Sequence, residues 1–419
     1  MGRDFYTLDD FDLSGSTVLL RVDINSPIDP STGRLLNDRR IREHLATIRD
    51  LRHTRVAVLA HQSRPGRDDF TTLEAHADRM GALLGHPVRY VDSLFGQHAI
   101  QAIQEMKVGD VILLENTRFF AEEETLADAK FEKMGKAMMV RKLAPLAQYF
   151  VLDAFAAAHR AQPSLCGFAE VLPSLAGRVV EREVAMVSRA MESQERPKVA
   201  IFGGIKADDS IAVTRHMLAN GIVDKVLTAG GVATLFLLAK GIDMGYPTKE
   251  ILEREMSDLD AQVQRCKDLL AKYPGRIEMP IDLAVNDSGT RKNVHIGEFP
   301  SKFPVYDIGL DTIVHYQNEV DLARTIIMNG PAGVFELEEF SLGTREIFTA
   351  VANSAAFTVV GGGHTVAVVE QLGLEKKIDH LSTGGGALIN YLAGKELPLI
   401  TALTRSREKF PRPSRTGQG

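Results

Sequence analysis

Arginine side chains follow apolar segments at five places in the first half of this chain, and two histidines lie near them. They are Arg21, Arg40, Arg64, Arg118 and Arg160, with His61 and His159. Arginine binds phosphate and carboxylate groups through a rigid fork of N–H donors. Any single arginine could be a solvated surface residue, and either histidine could serve packing alone. Taken together, the five arginines predict a site for a small ligand that carries more than one anionic group.

In the second half of the chain, the apolar segments are followed by glycine-rich loops. They are Gly203-Gly204-Ile205-Lys206, Gly361-Gly362-Gly363-His364-Thr365 and Ser382-Thr383-Gly384-Gly385-Gly386. Glycine lets the backbone approach a phosphate, free N–H groups at a helix start favour an anion, and a lysine adds a point charge. A triple glycine is equally compatible with a plain tight turn. The loops match neither G-x-x-x-x-G-K-[ST] nor G-x-G-x-x-G, which disfavours a Walker-type NTPase and a dinucleotide enzyme.

Strands must position these loops, and short apolar segments alternate with helical patterns in both halves. The predicted strands are 18–20, 56–60, 88–91, 111–114 and 149–152, then 199–202, 225–228, 281–285, 325–328 and 357–360. This alternation predicts an α/β fold with parallel sheets and helices on both faces. Ligands bind outside the carboxyl ends of such strands. Asp23, Asn25, His61, Arg64, Arg118, His159 and Arg160 would lie there.

Two helices are predicted from their apolar stripes. Ile41, Leu45, Ile48 and Leu51 form one stripe, with Asp38 as a candidate N-cap. Val180, Val184, Val187 and Met191 form the other, between Gly177 and Pro197. The second helix separates the arginine-rich half from the glycine-rich half, so it is either an ordinary connector or a hinge.

Length and composition restrict the function further. A chain of 419 residues predicts two to three domains, and a net charge of −6 argues against a general nucleic-acid binder. Two cysteines, Cys166 and Cys266, make no disulfide framework and no metal pattern, which favours a reducing cytoplasm. The start of the chain is polar and acidic, and no apolar segment reaches membrane-spanning length. We therefore expect a cytoplasmic protein that binds neither nucleic acid nor membrane.

Nine motifs, in order along nearly the whole chain, resemble the phosphoglycerate kinase family. They are RVDINSP (21–27), RIR (40–42), HQSRP (61–65), LLENTRF (113–119), DAFAAAHRAQPS (153–164), GGIKADDS (203–210), NGPAGVFE (329–336), GGGHT (361–365) and STGGGA (382–387). The resemblance implies two Rossmann-like domains joined by a hinge helix. These would be a glycerate-binding domain at 1–178, with part of 395–419 packing back on it, a hinge helix at 179–194 and a nucleotide-binding domain at 195–394.

The resemblance also implies which residues bind each ligand. For 3-phosphoglycerate or 1,3-bisphosphoglycerate they are Asp23, Asn25, Arg40, His61, Gln62, Ser63, Arg64, Arg118, His159 and Arg160. For ATP or ADP, with Mg²⁺, they are Lys206, Gly230, Gly231, Pro331, Val334, Glu336 at the ribose, Gly361, Gly362, Gly363, His364 and Thr365. The catalytic groups would be Arg40 and Lys206, supported by backbone donors around Gly361 and Gly384.

The implied reaction is phosphoryl transfer between an acyl phosphate and ADP. The attacking oxygen is anionic in either direction, so catalysis needs no general base. It should consist of positioning and charge neutralisation, with closure about the central helix excluding water.

Three departures from the commoner family pattern resemble its archaeal branch. Ser210 replaces a second lysine, His364 replaces an aspartate on the metal side, and the substrate loop reads AHRAQPS. The metal ligand is therefore unknown, with Asp208 and Asp209 as candidates. We expect His364 to donate to a phosphate oxygen and not to touch Mg²⁺, although it could simply cap a helix.

Two other functions compete with this interpretation. A dehydrogenase with two Rossmann-like halves lacks its G-x-G-x-x-G motif here. A catalytically inactive metabolite-binding homologue would be favoured by the loss of Arg40 or Lys206, and the chain contains both. The sequence leaves open whether the protein is a monomer or a homodimer.

Overall fold

The computed structural model describes residues 4–205 and 207–412, and the chain divides into two compact units. The first unit contains the chain up to Val184 together with the segment that begins at Glu396. The second unit is Ala185–Lys395. The boundary between them lies inside one helix, Arg178–Glu192.

A parallel sheet forms the centre of the first unit. Its strands are β1 (Tyr6–Thr7), β2 (Thr17–Arg21), β3 (Arg55–Leu59), β4 (Arg89–Val91), β5 (Val111–Leu114), β6 (Tyr149–Leu152) and β7 (Ser174–Ala176). They lie in the order β1-β7-β6-β2-β3-β5-β4. Every residue of β2 and β5 is buried, because helices cover both faces of the sheet.

The helices of this part of the chain connect those strands. They are α1 (Arg39–Asp50), α2 (Glu74–Leu84), α3 (Gln97–Gln104), α4 (Ala121–Thr125), α5 (Phe131–Met134), α6 (Met138–Leu143) and α7 (Arg178–Glu192). The predicted stripe of α1 is buried at Ile41, Leu45 and Ile48. Asp38 occupies the N-cap position but makes no capping hydrogen bond, because its carboxylate pairs with Arg42 and Arg79 instead.

A second parallel sheet forms the centre of the second unit. Its strands are β8 (Lys198–Phe202), β9 (Lys225–Thr228), β10 (Ile277–Glu278), β14 (Thr325–Asn329), β15 (Phe357–Gly361) and β16 (His380–Ser382), ordered β10-β9-β8-β14-β15-β16. Alternate residues of β8 face opposite cores: Val199 and Ile201 pack on one side, and Ala200 and Phe202 on the other. The α/β prediction with parallel sheets is confirmed.

One predicted strand belongs elsewhere. The segment 281–285 was expected in the parallel sheet, but it lies in β11 (Asp282–Asp287), which pairs antiparallel with β12 (Thr290–His295) and β13 (Val305–Ile308). Ser288 and Gly289 form the two-residue turn between β11 and β12, with φ of 54° and 93°. Two positive φ values are typical of a tight hairpin turn, and the Ser-Gly pair is the local signal for it.

The remaining helices complete both units. They are α8 (Ala207–Ala219), α9 (Gly230–Ala239), α10 (Tyr246–Glu255), α11 (Leu259–Lys272), α12 (Leu310–Leu322), α13 (Leu342–Asn353), α14 (Gly363–Gln371), α15 (Gly386–Leu392) and α16 (Pro398–Lys409). Helix α16 belongs to the first unit, where Ser406 Oγ accepts the backbone N–H of Ser174 at 2.9 Å. None of the described helices combines the length and the apolar character needed to cross a membrane.

Both ends of α7 are held by buried side chains. At its start, Asp153 Oδ1 accepts the backbone N–H of Val179 at 2.8 Å. At its end, the buried ammonium group of Lys198 donates to the carbonyls of Met191 and Ser193 at 2.8 and 2.9 Å. These contacts satisfy backbone groups that have no partner within the helix. The limits predicted for this helix, 179–194, differ from the observed ones by one or two residues.

Candidate functional site

The arginine-rich site of the first unit is built on the carboxyl ends of its strands. Asp23 follows β2, and its Oδ1 lies 2.9 Å from Nη1 of Arg40 at the start of α1. Burial raises the pKa of Asp23, but Arg40, Arg21 and a hydrogen bond from the backbone N–H of Asn25 outweigh this effect and hold it well below its usual range. Asp23 is therefore ionised at neutral pH, and it orients Arg40 within the site.

Three nitrogens of this site are buried and have no hydrogen-bond partner among the described residues. They are Arg118 Nε, His159 Nδ1 and Arg160 Nη1. Arg118 Nε lies 3.2 Å from Glu124 Oε1 without forming a hydrogen bond to it. Burial and the nearby Arg160 lower the pKa of Arg118, and the same two causes lower that of His159. Crowded positive groups with unpaired donors favour an anionic ligand.

Gln62 and Ser63, two residues assigned to the substrate, use their polar groups within the protein. Gln62 is completely buried, and its Oε1 accepts from Ser26 N–H at 3.1 Å while Nε2 donates to Ser26 O at 3.0 Å. Ser63, with φ of 53°, donates its N–H to Asn25 Oδ1 at 2.8 Å. These contacts fix the loop after β3 against the loop after β2, and the substrate-binding roles of Gln62, Ser63 and Asn25 stay predictions.

Arg64 and Arg21 differ from the other arginines. The side chain of Arg64 is exposed and makes no ion pair or hydrogen bond within residues 4–205 and 207–412, while its backbone carbonyl accepts the N–H of Arg67 at 3.2 Å. Arg21 is completely buried and donates to Ser164, Val22 and His61. The structure thus brings Arg40, Arg118, Arg160, His61 and His159 together. Arg21 is buried next to this group and contacts it through His61.

A cavity of about 230 Å³ lies in the second unit, at the carboxyl ends of β8, β9 and β14. Six residues that the family resemblance assigns to the nucleotide line it: Gly230, Gly231, Pro331, Val334, Glu336 and His364. Glu336 and His364 are exposed. A Cβ at Gly203 would lie 2.2 Å from the carbonyl oxygen of Pro331, so only glycine allows the two loops to pack this closely.

The cavity has a wall that the sequence reasoning missed. It comprises Thr234 of α9, Thr248, Ile251 and Leu252 of α10, Leu283 of β11, and Val305, Tyr306 and Asp307 of β13. The small antiparallel sheet therefore contributes part of the binding surface, and Val334 N–H donates to Tyr306 O at 2.8 Å across it. Recognising the Ser288-Gly289 turn would have indicated the extra sheet, but not its place beside the cavity.

The glycine triplet lies next to the cavity and does not line it. Gly361 ends β15, Gly362 has φ of 103°, and Gly363 opens α14. Thr365 is buried, and its Oγ1 accepts the N–H of Gly330 at 2.8 Å, so it holds the neighbouring loop. Gly384 precedes α15, and its N–H donates to Ser382 Oγ at 3.1 Å. Lys206 lies outside the described residues, and Ser210 is buried in α8.

One group of side chains among the described residues has metal-like spacing, but it is an ion-pair cluster. Glu278, His315 and Glu319 lie together, and Lys225 Nζ pairs with Glu278 at 3.3 Å and with Glu319 at 2.7 Å. Near the predicted phosphate loop, Asp208 and Asp209 lie in the first turn of α8. Their carboxylate oxygens are the type of ligand that Mg²⁺ prefers, so this donor set fits the predicted ion.

Comparison with known proteins identifies the same family at three levels. The family model for phosphoglycerate kinase matches residues 8–395. The phosphoglycerate kinase of Thermoplasma acidophilum is 48% identical over 97% of this chain and 99% of its own length, and that of Methanothermus fervidus is 48% identical over 97% and 98%. The crystal structure of phosphoglycerate kinase from Pyrococcus horikoshii OT3 is similar with a TM-score of 0.88 and 40% identity, covering 97% of this chain and 100% of that one. The phosphoglycerate kinase from Coxiella burnetii gives a TM-score of 0.79 at 32% identity, covering 96% and 99%.

Proposed function

This chain belongs to the phosphoglycerate kinase family, and from that membership we propose how its two units carry out the reaction. The protein is a glycolytic enzyme of the transferase class that moves a phosphoryl group reversibly between 1,3-bisphosphoglycerate and ADP, giving 3-phosphoglycerate and ATP. Its similarity to archaeal members confirms the expectation from the motifs. The first unit binds the phosphoglycerate, and the second binds ATP or ADP together with Mg²⁺.

The observation that carries this division is the cavity of the second unit. Six nucleotide-assigned residues from three separate segments of the chain line one space of about 230 Å³. Apolar walls at Leu252, Leu283 and Val305 suit the flat face of a base, and the exposed carboxylate of Glu336 suits the hydroxyls of a ribose. The glycine loops and the start of α14 are next to His364, where the phosphates would lie.

The phosphoglycerate is assigned to the first unit because of its unpaired donors. Arg118, Arg160 and His159 carry buried nitrogens that a carboxylate or phosphate would satisfy. Arg64 is proposed to bind the same ligand through its exposed guanidinium group. The site thus offers several charged donors to a ligand that carries two anionic groups.

Catalysis is proposed to consist of charge neutralisation by two cations. Arg40, oriented by Asp23, would act from the phosphoglycerate side, and Lys206 from the nucleotide side. Backbone donors at 361–363 and 384–386 would add fixed dipoles. No general base is required, since the attacking carboxylate or phosphate oxygen is already ionised.

Magnesium is the cofactor that this donor set would accept. Asp208 or Asp209, together with phosphate oxygens of the nucleotide, would hold it, and when bound it neutralises phosphate charge. His364 is a poorer ligand for this hard cation, because Mg²⁺ prefers oxygen. We assign His364 a hydrogen bond to a phosphate oxygen instead.

Transfer requires both bound ligands to meet, and we propose that bending within α7 allows this. The unit boundary falls between Val184 and Ala185 of that helix, which supports a hinge there. Solution scattering should show compaction when 3-phosphoglycerate and MgATP are both present, and little change with either ligand alone. An unchanged radius in the ternary complex would contradict hinge bending.

A cytoplasmic location is proposed from the glycolytic family and from the two cysteines, which are both buried and free. Cell fractionation would test the location. Sedimentation would decide between a monomer and a homodimer.

A pair of variants tests the division of the two ligands. Arg160→Ala should raise the KM for 3-phosphoglycerate by about 10- to 100-fold and leave the KM for ATP nearly unchanged, because it removes one charged hydrogen-bond donor. Glu336→Ala should raise the KM for ATP and leave the KM for 3-phosphoglycerate nearly unchanged. Equal effects on both constants would contradict the assignment. A folded protein that binds both ligands but forms no ATP from 1,3-bisphosphoglycerate would favour the inactive homologue.

A further inference from the structure

The first unit contains a line of buried polar groups that the reaction as described does not use. Arg21, the last residue of β2, is 0% exposed although it lies at the ligand end of the sheet. Its Nε donates to Ser164 Oγ at 3.0 Å, its Nη1 donates to the carbonyl of Val22, and its Nη2 lies 3.0 Å from His61 Nδ1. A side chain enclosed in this way cannot touch a ligand, so any effect it has on the site must pass through a neighbour.

The direction of the hydrogen bond between Arg21 and His61 is fixed by chemistry. A guanidinium group can only donate, so His61 Nδ1 must accept and carries no proton. The ring proton of a neutral His61 is therefore on Nε2. Within the described part of the chain, no group hydrogen-bonds Nε2, which leaves this N–H available to a ligand.

Burial and the nearby arginines keep the ring of His61 neutral. Burial lowers the pKa of His61 well below its ordinary value. Asp23 opposes this effect, while Arg21, Arg118 and Arg160 add to it. A neutral ring with a free Nε2–H is a donor that complements the carboxylate or phosphate of a ligand without adding a further cation to a crowded site.

The other side of Arg21 is equally constrained. The Ser164 hydroxyl donates to Glu123 Oε1, and the Ser164 N–H donates to Glu123 Oε2 at 2.9 Å. An ionised carboxylate can only accept, so the hydroxyl proton of Ser164 is committed to Glu123 and its oxygen accepts from Arg21. Glu123 is 2% exposed, and burial raises its pKa, while the charge of Arg21 and the two hydrogen bonds from Ser164 act to lower it. With Glu123 ionised, each hydrogen bond from Glu123 to His61 has only one possible direction.

We propose that Arg21 is a positioning residue for the phosphoglycerate site, which holds His61 in the Nε2–H form so that the ring donates to an oxygen of the bound ligand. The inference rests on the proposed function, because only that function assigns phosphoglycerate to His61. Arg21 itself takes no part in the chemistry and touches no reacting atom.

The tautomer can be read directly in the intact protein. Long-range ¹H–¹⁵N correlation spectra of the ligand-free full chain at pH 7 distinguish a protonated Nε2 from a protonated Nδ1. The chain contains 12 histidines, so the spectrum of His61→Gln identifies the signal. We expect His61 to be neutral, with its proton on Nε2.

Three variants connect this tautomer to ligand binding. Arg21→Met removes the donors at similar length, and it should populate the Nδ1–H form and raise the KM for 3-phosphoglycerate about tenfold, the equivalent of one hydrogen bond, with the KM for ATP nearly unchanged. Arg21→Lys retains a cation that can only donate. Compared with Arg21→Met, it should therefore show more of the Nε2–H form of His61 and a lower KM for 3-phosphoglycerate. Ser164→Ala is the matched control, since it breaks the link to Glu123 and leaves the Arg21–His61 hydrogen bond in place. It should keep the Nε2–H form.

Each outcome decides the inference. A His61 that is cationic or protonated on Nδ1 in the unmodified protein overturns it, and this measurement stands even if Arg21→Met does not fold. An Arg21→Met variant that loses the tautomer but keeps its KM for 3-phosphoglycerate also overturns it. Failure of the unmodified protein to turn over phosphoglycerate would instead contradict the proposed function, and would leave the tautomer result intact.

Discussion

At the scale of single residues, Arg40 is the clearest test of catalysis by charge. It is partly exposed, and it is oriented by an ion pair of 2.9 Å to the buried carboxylate of Asp23. Arg40→Ala should lower kcat by about 10²-fold or more, the usual effect of losing a preorganised electrostatic donor. Steady-state kinetics in both directions would measure it. A near-normal kcat with a raised KM would show that Arg40 anchors the ground state instead.

His364 tests the nucleotide side. It lines the cavity at the start of α14, next to the glycines expected to face phosphate. His364→Ala should weaken ADP binding modestly, by about 3- to 10-fold for one lost hydrogen bond, and should leave the Mg²⁺ requirement unchanged. His364→Asp should make binding depend more strongly on Mg²⁺. Coordination of Mg²⁺ by the imidazole in a crystal structure with MgADP would contradict this assignment.

His76 predicts a loss of stability in acid. Burial lowers its pKa from 6.5 to about 4, while Nε2 contacts Gln62 Oε1 at 3.1 Å. As pH falls from 6.5 towards 4, the unfolded chain takes up a proton that the folded chain does not, so the free energy of unfolding falls by up to about 3 kcal/mol.

Urea unfolding of the wild type and of His76→Gln at pH 7 and near pH 4.5 would isolate this contribution. Because the variant lacks the histidine, its free energy of unfolding should depend less on pH. The difference in free energy of unfolding between the wild type and the variant should therefore be smaller near pH 4.5 than at pH 7. A difference that stays constant over this range would show that His76 does not cause the acid sensitivity.

At the scale of secondary-structure elements, the start of α7 depends on one buried carboxylate. Asp153 accepts from Val179 N–H at 2.8 Å, from Thr47 Oγ1 at 2.7 Å and from His44 Nδ1 at 2.8 Å. These bonds join the loop after β6 to α1 and α7. His44 Nε2 also lies 3.1 Å from Asp23 O, so α1 connects the helix start to the site.

Asp153→Ala should therefore destabilise the protein by about 3 kcal/mol or more, since three buried donors lose their acceptor. Thr47→Ser is the matched control, because it keeps the hydroxyl and should cost about 1 kcal/mol for one buried methyl group. Chemical unfolding would measure both changes. If the two variants lose similar amounts of unfolding free energy, the Asp153 carboxylate is not the main group that stabilises the start of α7.

At the scale of the whole molecule, the first unit is formed by two segments that are far apart in the sequence, and the second unit lies between them in the chain. The first unit is completed by α16, which buries Leu399, Ala402 and Leu403 and pairs Arg405 with Glu132 and Glu170. The second unit is one continuous segment.

A chain ending at Lys395 should thus lose several kcal/mol of stability in the first unit, from the apolar area left uncovered. ADP binding should persist, because every described residue that lines the cavity belongs to the second unit. Calorimetric unfolding and equilibrium ADP binding would separate the two effects. Loss of ADP binding, or unchanged unfolding, would contradict this division.

The sequence by itself determined the fold class, the family and most of the strands. Strands such as β2 and β5 are buried on both faces, so they are continuous apolar segments that need no tertiary information to recognise. The family resemblance assigned Arg40, Arg118 and Arg160 to the phosphoglycerate. It also assigned to the nucleotide six residues that line one cavity.

Only the tertiary structure decided how these side chains are used. Arg21 belongs to the same sequence pattern as Arg118, yet its donors are taken by Ser164, 143 positions away, and by His61, 40 positions away. The antiparallel sheet at β11 likewise became a cavity wall through contacts with loops distant in sequence. Periodicity and local motifs report which face of an element is buried, whereas hydrogen-bond partners far apart in the chain are fixed only when the elements pack.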